Sequence, residues 1–148
     1  MRVALAGLLL LFAVAPVCAK PTILECTMNG RETGPYMKES FSETLEVQVH
    51  EDSPQRIMML GQRLKIVAVG ANATLPRLTA VGQDRSTEDV WDMASKSTGD
   101  GWIFTAAIRI NRRTGTISAT NQSEFSNGSS GTISATGNCV AQSAVRKF

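Results

Sequence analysis

The sequence predicts an all-β protein: a small, single-domain antiparallel β-barrel or sandwich of about 7–9 short strands, its first and last strands linked by a disulfide. Three observations predict it. Apolar and polar residues alternate with a period of two along most of the chain. Clusters of Gly, Pro, Asn, Asp and Ser recur every ~8–12 residues, the spacing of turns between short strands. Two cysteines, Cys26 and Cys139, stand near the two ends of the predicted domain.

Residues 1–19, MRVALAGLLLLFAVAPVCA, read as a secretory signal peptide. Arg2 supplies a short basic region, Val3 to Val14 an apolar run, and Val17-Cys18-Ala19 a small-residue cleavage site. The run falls short of the roughly 20 residues needed to span a bilayer as a helix. Residues 20–148 are then the secreted domain, with no second apolar run long enough to span a membrane. Removing Cys18 with the signal leaves Cys26 and Cys139. An even pair in an exported chain reads as a disulfide, and closing so long a loop contributes about 4–5 kcal/mol on the chain-entropy model.

The elements follow in order. Thr22 to Met28 (TILECTM) is β-rich, and Asn29-Gly30 opens a polar stretch with a turn at Gly34-Pro35. Thr44 to His50 alternates cleanly, with Leu45, Val47 and Val49 on one face and Glu46, Gln48 and His50 on the other. Ser53-Pro54 turns the chain. Arg56 to Leu60 and Arg63 to Val69 form short strands around Gly61, and Leu78 to Val81 a further one. Residues 84–96 (DRSTEDVWDMASK) carry both a helix-start pattern at Ser86 and Asp89 and a strand through Val90 to Ala94; the β context favours the strand. Ser97 to Gly101 is a turn. Trp102 to Ile110 is the clearest strand, with Trp102, Phe104, Ala106, Ile108 and Ile110 sharing a face. Asn111 to Gly115 (NRRTG) has hairpin length.

The hexamer GTISAT then occurs twice, at 115–120 and 131–136, with no third copy. Solenoid stacking needs at least three units. Two copies joined by the polar NQSEFSNGSS predict neighbouring strands of a hairpin or meander.

Composition narrows the functional classes. The net charge of +2 falls to about +1 without Arg2, which gives no reason to expect nucleic acid or an anionic membrane surface as partner. Two oxidised Cys and one His do not make a standard zinc set, so no metal and no cofactor is expected. No Gly-x-Ser-x-Gly elbow is present, and His50 is the only base of the usual kind. Asp84, Glu88, Asp89, Asp92 and Asp100 lack EF-hand spacing and read as a solvated face. Three Asn-x-Ser/Thr sequons, at Asn72, Asn121 and Asn127, fit a chain rich in Ser and Thr.

What remains are contact residues. Arg109, Arg112 and Arg113 cluster around one predicted hairpin, with Arg146 and Lys147 at the basic C-terminus. Trp91, Trp102, Phe104 and Phe125 could line a pocket for an apolar ligand if the sheet closes into a barrel, but with aromatics at only 5% of the chain their expected use is core packing. Trp91, Trp102, Arg109, Arg112 and Arg113 are therefore the candidate ligand or partner contacts.

A first-strand Cys in ILEC, the hairpin IRINRRTGTISAT and a late NCVAQSAVRKF together resemble small uncharacterised exported (periplasmic) proteins of Gram-negative bacteria. Those carry an I-[DN]-R-x-[TS]-G-x-[LI] hairpin and end in a Cys followed by a short basic tail with Phe. Asn111 stands here where that pattern usually has Asp. The resemblance implies a location and a β fold, and carries no active site.

The expectation is a non-catalytic secreted or periplasmic module that binds an envelope protein or a small ligand. The alternatives are a small hydrolase using His50 with nearby carboxylates, and a purely structural envelope protein.

Overall fold

The computed structural model describes residues 20–52, 55–70, 74–75 and 78–142. The expected signal peptide, the Ser53-Pro54 turn, the Asn72 sequon and the basic tail with Arg146 and Lys147 lie outside them. Ten antiparallel strands form one sheet: β1 (Thr22–Thr33), β2 (Lys38–His50), β3 (Arg56–Leu60), β4 (Lys65–Val69), β5 (Thr74–Leu75), β6 (Leu78–Asp84), β7 (Val90–Gly99), β8 (Trp102–Asn111), β9 (Thr116–Phe125) and β10 (Ser130–Ala141). Their spatial order is β4-β3-β2-β1-β10-β9-β8-β7-β6-β5, curled into a nearly closed barrel. Among the described residues no helix is long and apolar enough to cross a membrane.

Alternation places the core. Leu24, Cys26 and Met28 of β1, Leu45, Val47 and Val49 of β2, and Ala106, Ile108 and Ile110 of β8 all point inward and are buried. Ile57, Met59, Ile66 and Ala68 from β3 and β4 close over them. Between residues 84 and 96 the strand prevails over the helix. Ser86 does not cap a helix; its hydroxyl accepts the amide of Asp92 at 3.0 Å and holds the connection into β7.

Cys26 and Cys139 sit directly opposite each other on β1 and β10, their Cα atoms 4.0 Å apart, and form the disulfide. The ladder around them runs from Leu24 opposite Ala141 to Thr33 opposite Thr132. The sheet's discontinuity lies elsewhere, in mid-chain between β4 and β6. There Gly82 faces the carbonyl oxygens of Val69 and Gly70 so closely that a Cβ would overlap them. Ser95 of β7 also reaches across, its hydroxyl donating to the Val67 carbonyl at 3.4 Å.

The repeat is a strand pair. β9 and β10 are adjacent, with Ala119 opposite Ala135, so the two hexamers run antiparallel beside each other. Their glycines do different work. Gly115 has φ 72° and turns the chain after Asn111, whose Oδ1 accepts the amides of Arg113 (2.9 Å) and Thr114 (3.0 Å). Gly131 lies inside β10.

Several strands run further than their composition predicts, β6 among them, to Asp84. Asn29-Gly30 does not open a loop: β1 continues to Thr33, because a Cβ-free Gly30 lets the Phe41 ring lie over it. β2 accordingly begins at Lys38 rather than Thr44. The polar NQSEFSNGSS is strand up to Phe125, since its polar residues alternate between the two faces, and only Ser126 to Ser129 turn. β7 extends to Gly99, leaving Asp100-Gly101 as the turn, with the Trp102 indole seated over Gly99. At the β3–β4 turn, Arg63 and Leu64 belong to the turn instead of the strand.

Two measurements check this architecture. The disulfide closes a separation of 113 residues; reduction is expected to lower unfolding stability by about 4–5 kcal/mol. Urea titrations with and without dithiothreitol measure the difference, and coincident midpoints would contradict it. Gly82→Ala is expected to cost about 1–3 kcal/mol by overpacking the β4–β6 approach, whereas Gly128→Ala, in open space with φ 82°, is strained only through its backbone.

Candidate functional site

The barrel has two unlike ends. At the end where β7 begins and β8 turns into β9, the indole of buried Trp91 donates from Nε1 to Glu51 Oε1 at 2.8 Å. The Arg112 guanidinium lies over the Trp91 ring, 4.5 Å from its centroid, and 3.7 Å from Glu51. Arg113 Nε donates to Asp89 Oδ1 at 2.6 Å, and the Arg112 amide donates to the Asp89 carbonyl at 2.8 Å. On the outer face Asp92 takes Arg85 at 3.1 Å and Arg109 at 3.8 Å.

Four of the five sequence-predicted contacts, Trp91, Arg109, Arg112 and Arg113, thus gather at this end. Every one of those arginines faces a carboxylate, so the cluster ties the β8–β9 turn to β7 and Glu51 and leaves little free positive charge for an anion. The acidic residues Asp89 and Asp92 are the other half of the same arrangement. His50 ends β2 on the outer face, half-buried, its Nε2 enclosed without a hydrogen-bond partner among the described residues. Glu51, its sequence neighbour, is turned toward Trp91 and Arg112. No group of three or more His, Cys, Asp or Glu side chains converges as a metal site among the described residues.

Trp102 lies at the opposite end, and there the inner face changes character. β3 and β4 have five residues each, while β1, β2 and β7 to β10 have 10 to 13. The long strands therefore outrun the short ones, and their inner faces emerge from the core as an open trough. Along β9 the inward positions pass from Ile117 and Ala119, both buried, to half-buried Asn121 and Ser123 and then exposed Phe125. Along β1 they pass from Met28 to Gly30 and Glu32.

The result is a cleft of about 1110 Å³, floored by β8, β9, β10 and β1 and walled by the β1–β2 and β9–β10 turns. Three large side chains that would ordinarily be covered stand at its rim: Tyr36 at 102% of full exposure, Met37 at 45% and Phe125 at 43%. Phe104 meets Phe125 edge-on at 6.0 Å, and Trp102 backs Phe104 at 4.7 Å without itself lining the cleft.

An ion-pair network fixes the neighbouring wall. Arg63 donates to both carboxylate oxygens of Glu39, at 2.9 and 3.0 Å, stands 3.8 Å from Glu32, and covers the Phe41 ring at 5.6 Å. Glu43 accepts the amides of Gln62, Arg63 and Leu64 at 2.9, 3.2 and 2.8 Å, fastening the β3–β4 turn to β2. The hydrogen bond from Arg63, reinforced by its charge, holds the Glu39 carboxyl below its usual value; Glu39 in turn raises Arg63.

Phe104 and Phe125 both line the cleft, Trp102 backs Phe104 from outside it, and Trp91 does not reach it. Tyr36, Met37, Asn121 and Ser123 are missed by sequence reasoning. The one local signal was an aromatic and a Met directly after Gly34-Pro35, apolar side chains in a turn that has no core to enter. Compared with known protein families, with characterised proteins and with solved structures, the chain matches none.

Because the folded Glu39 value is depressed, its stabilising pair with Arg63 is complete above the ordinary carboxylate range and is lost as pH falls through the lowered value. Carbon-detected NMR titration of Glu39 should therefore give a midpoint below that of a free glutamate. In Arg63→Met the midpoint should return to the ordinary value; an unchanged midpoint would show that Arg63 is not the cause.

Proposed function

We propose that this chain is a non-catalytic binding module, secreted or periplasmic, that engages a protein or small ligand of the cell envelope through the cleft at the open end of its barrel. One observation carries the reading: Tyr36, Met37 and Phe125, three of the seven exposed large hydrophobic side chains among the described residues, ring a single concavity. Solvent-facing aromatics held at the mouth of a pocket are the usual signature of a recognition surface, because burying them against a partner releases apolar area that folding left uncovered. The disulfide supports an oxidising compartment, where such bonds form and persist.

The hydrolase alternative asks His50 to work with neighbouring carboxylates. Glu51 is engaged by Trp91 and Arg112, and the His50 Nε2 is enclosed, so neither group stands ready to meet a substrate. This geometry favours binding over turnover.

The test is photocrosslinking in the exporting cell. A benzophenone amino acid replacing Tyr36 is expected to yield a discrete adduct, and the same group replacing Val140, exposed on the outer face away from the cleft, is expected to yield none. Equal labelling at both positions, or none at 36, would overturn the cleft as the binding site.

A further inference from the structure

The binding reading leaves the ligand's chemistry open, and the cleft's own composition narrows it. Resting on that reading, we infer that the cleft takes a short, uncharged oligosaccharide. Three properties of the lining lead there. Charge comes first: among the described lining residues Glu32 is the only charged side chain, and Arg63 stands 3.8 Å from it. An anionic ligand finds no cation there, and Arg63 is already held by both oxygens of Glu39.

The second property is the mixture of ring faces and hydrogen-bonding side chains. Tyr36 and Phe125 present open rings at the mouth, and Phe104 stands edge-on behind Phe125. Between them Asn121 and Ser123 project from β9. The Ser123 hydroxyl already donates to the Gly131 carbonyl at 3.4 Å, but a wholly apolar ligand such as an acyl chain would cover the Asn121 amide without replacing its bonds to water, at a cost of about 1–3 kcal/mol for a group left unpaired. A sugar ring has an apolar C–H face that packs on an aromatic ring and equatorial hydroxyls that both donate and accept, which matches an amide's two donors and one acceptor.

The third property separates a glycan from a peptide. Extended peptides are commonly recognised by adding a strand to a free sheet edge. The floor strands β8, β9, β10 and β1 are each paired on both sides, so their main-chain groups are already committed to the sheet. Recognition on this floor must come from side chains alone. At about 1110 Å³ the cleft also slightly exceeds the roughly 300–1,000 Å³ typical of small-molecule pockets, room for several linked sugars rather than one.

The experiment is an NMR titration of the full disulfide-bonded domain with cello-, chito- and malto-oligosaccharides as probes, with affinities from calorimetry. Saturable shifts are expected at the Asn121 side-chain amide and at Tyr36 for at least one probe. The affinity should be unchanged between low and high salt, because no ion pair forms. Tyr36→Ala, at a fully exposed position whose loss leaves the fold intact, and Phe125→Ala should each weaken binding at least tenfold. Silence across all three probes overturns the inference, as does affinity that survives Tyr36→Ala. If a hydrophobic peptide shifts the same resonances while the sugars do not, or if the adduct at position 36 is a protein, the oligosaccharide is wrong and the binding module stands. A blank crosslink at position 36 removes both.

Discussion

The pairing of the first strand with the last makes this molecule one object. Without it the chain would be two separate meanders, β4-β3-β2-β1 and β10 to β5, each with an exposed inner face. The β1–β10 ladder joins residues 99 to 117 positions apart, a contact whose loop-closure entropy is paid before any neighbouring contact rewards it. A disulfide between directly opposed residues near one end of that ladder removes much of the entropy from the unfolded chain. It also fixes register: a slip of one residue would turn Leu24, Cys26 and Met28 outward together.

Register in turn sets where the core ends. With β1 and β10 locked, the long strands extend the same way past the five-residue β3 and β4, and the part of the inner face that nothing covers becomes the cleft. Core and cleft are thus one surface, divided by the length of the strands opposite. The sequence changes at the same level, from Ile, Ala, Met and Leu to Asn, Ser, Gly and Glu. Gly30 and Gly99 serve this transition by letting Phe41 and Trp102 lie flat over the backbone, so that aromatic area is retained at the margin without thickening the wall.

Charge is used for closure at both ends. Arg112 and Arg113 bind Glu51, Asp89 and the Trp91 face at one end; Arg63 binds Glu39 and covers Phe41 at the other. Such partly exposed pairs contribute little each. Their geometry matters more: each joins a turn to a segment distant in sequence, and each takes an arginine out of the set of groups available to a ligand. Among the described lining residues of the cleft only Glu32 is charged.

Alternation, turn spacing and the positions of Cys26 and Cys139 pointed to the fold class, the disulfide and the strand character of residues 90–94, because these depend on each residue's immediate neighbours and on a pairing that is unique once Cys18 is assigned to the expected signal peptide. The doubled GTISAT likewise determined that β9 and β10 lie side by side. The candidate site was legible only in pieces. Phe104 and Phe125 share a pocket where core packing was the expectation, and Trp91 and the arginines, close to Trp102 in sequence, stand at the other end of the barrel, since a ten-residue strand carries its two ends to opposite rims. Strand ends were underestimated where Gly30, Asn121 and Ser123 resembled turn residues. Local composition cannot distinguish a polar turn from a polar face of a strand; only the ladder opposite, and what it leaves uncovered, decides.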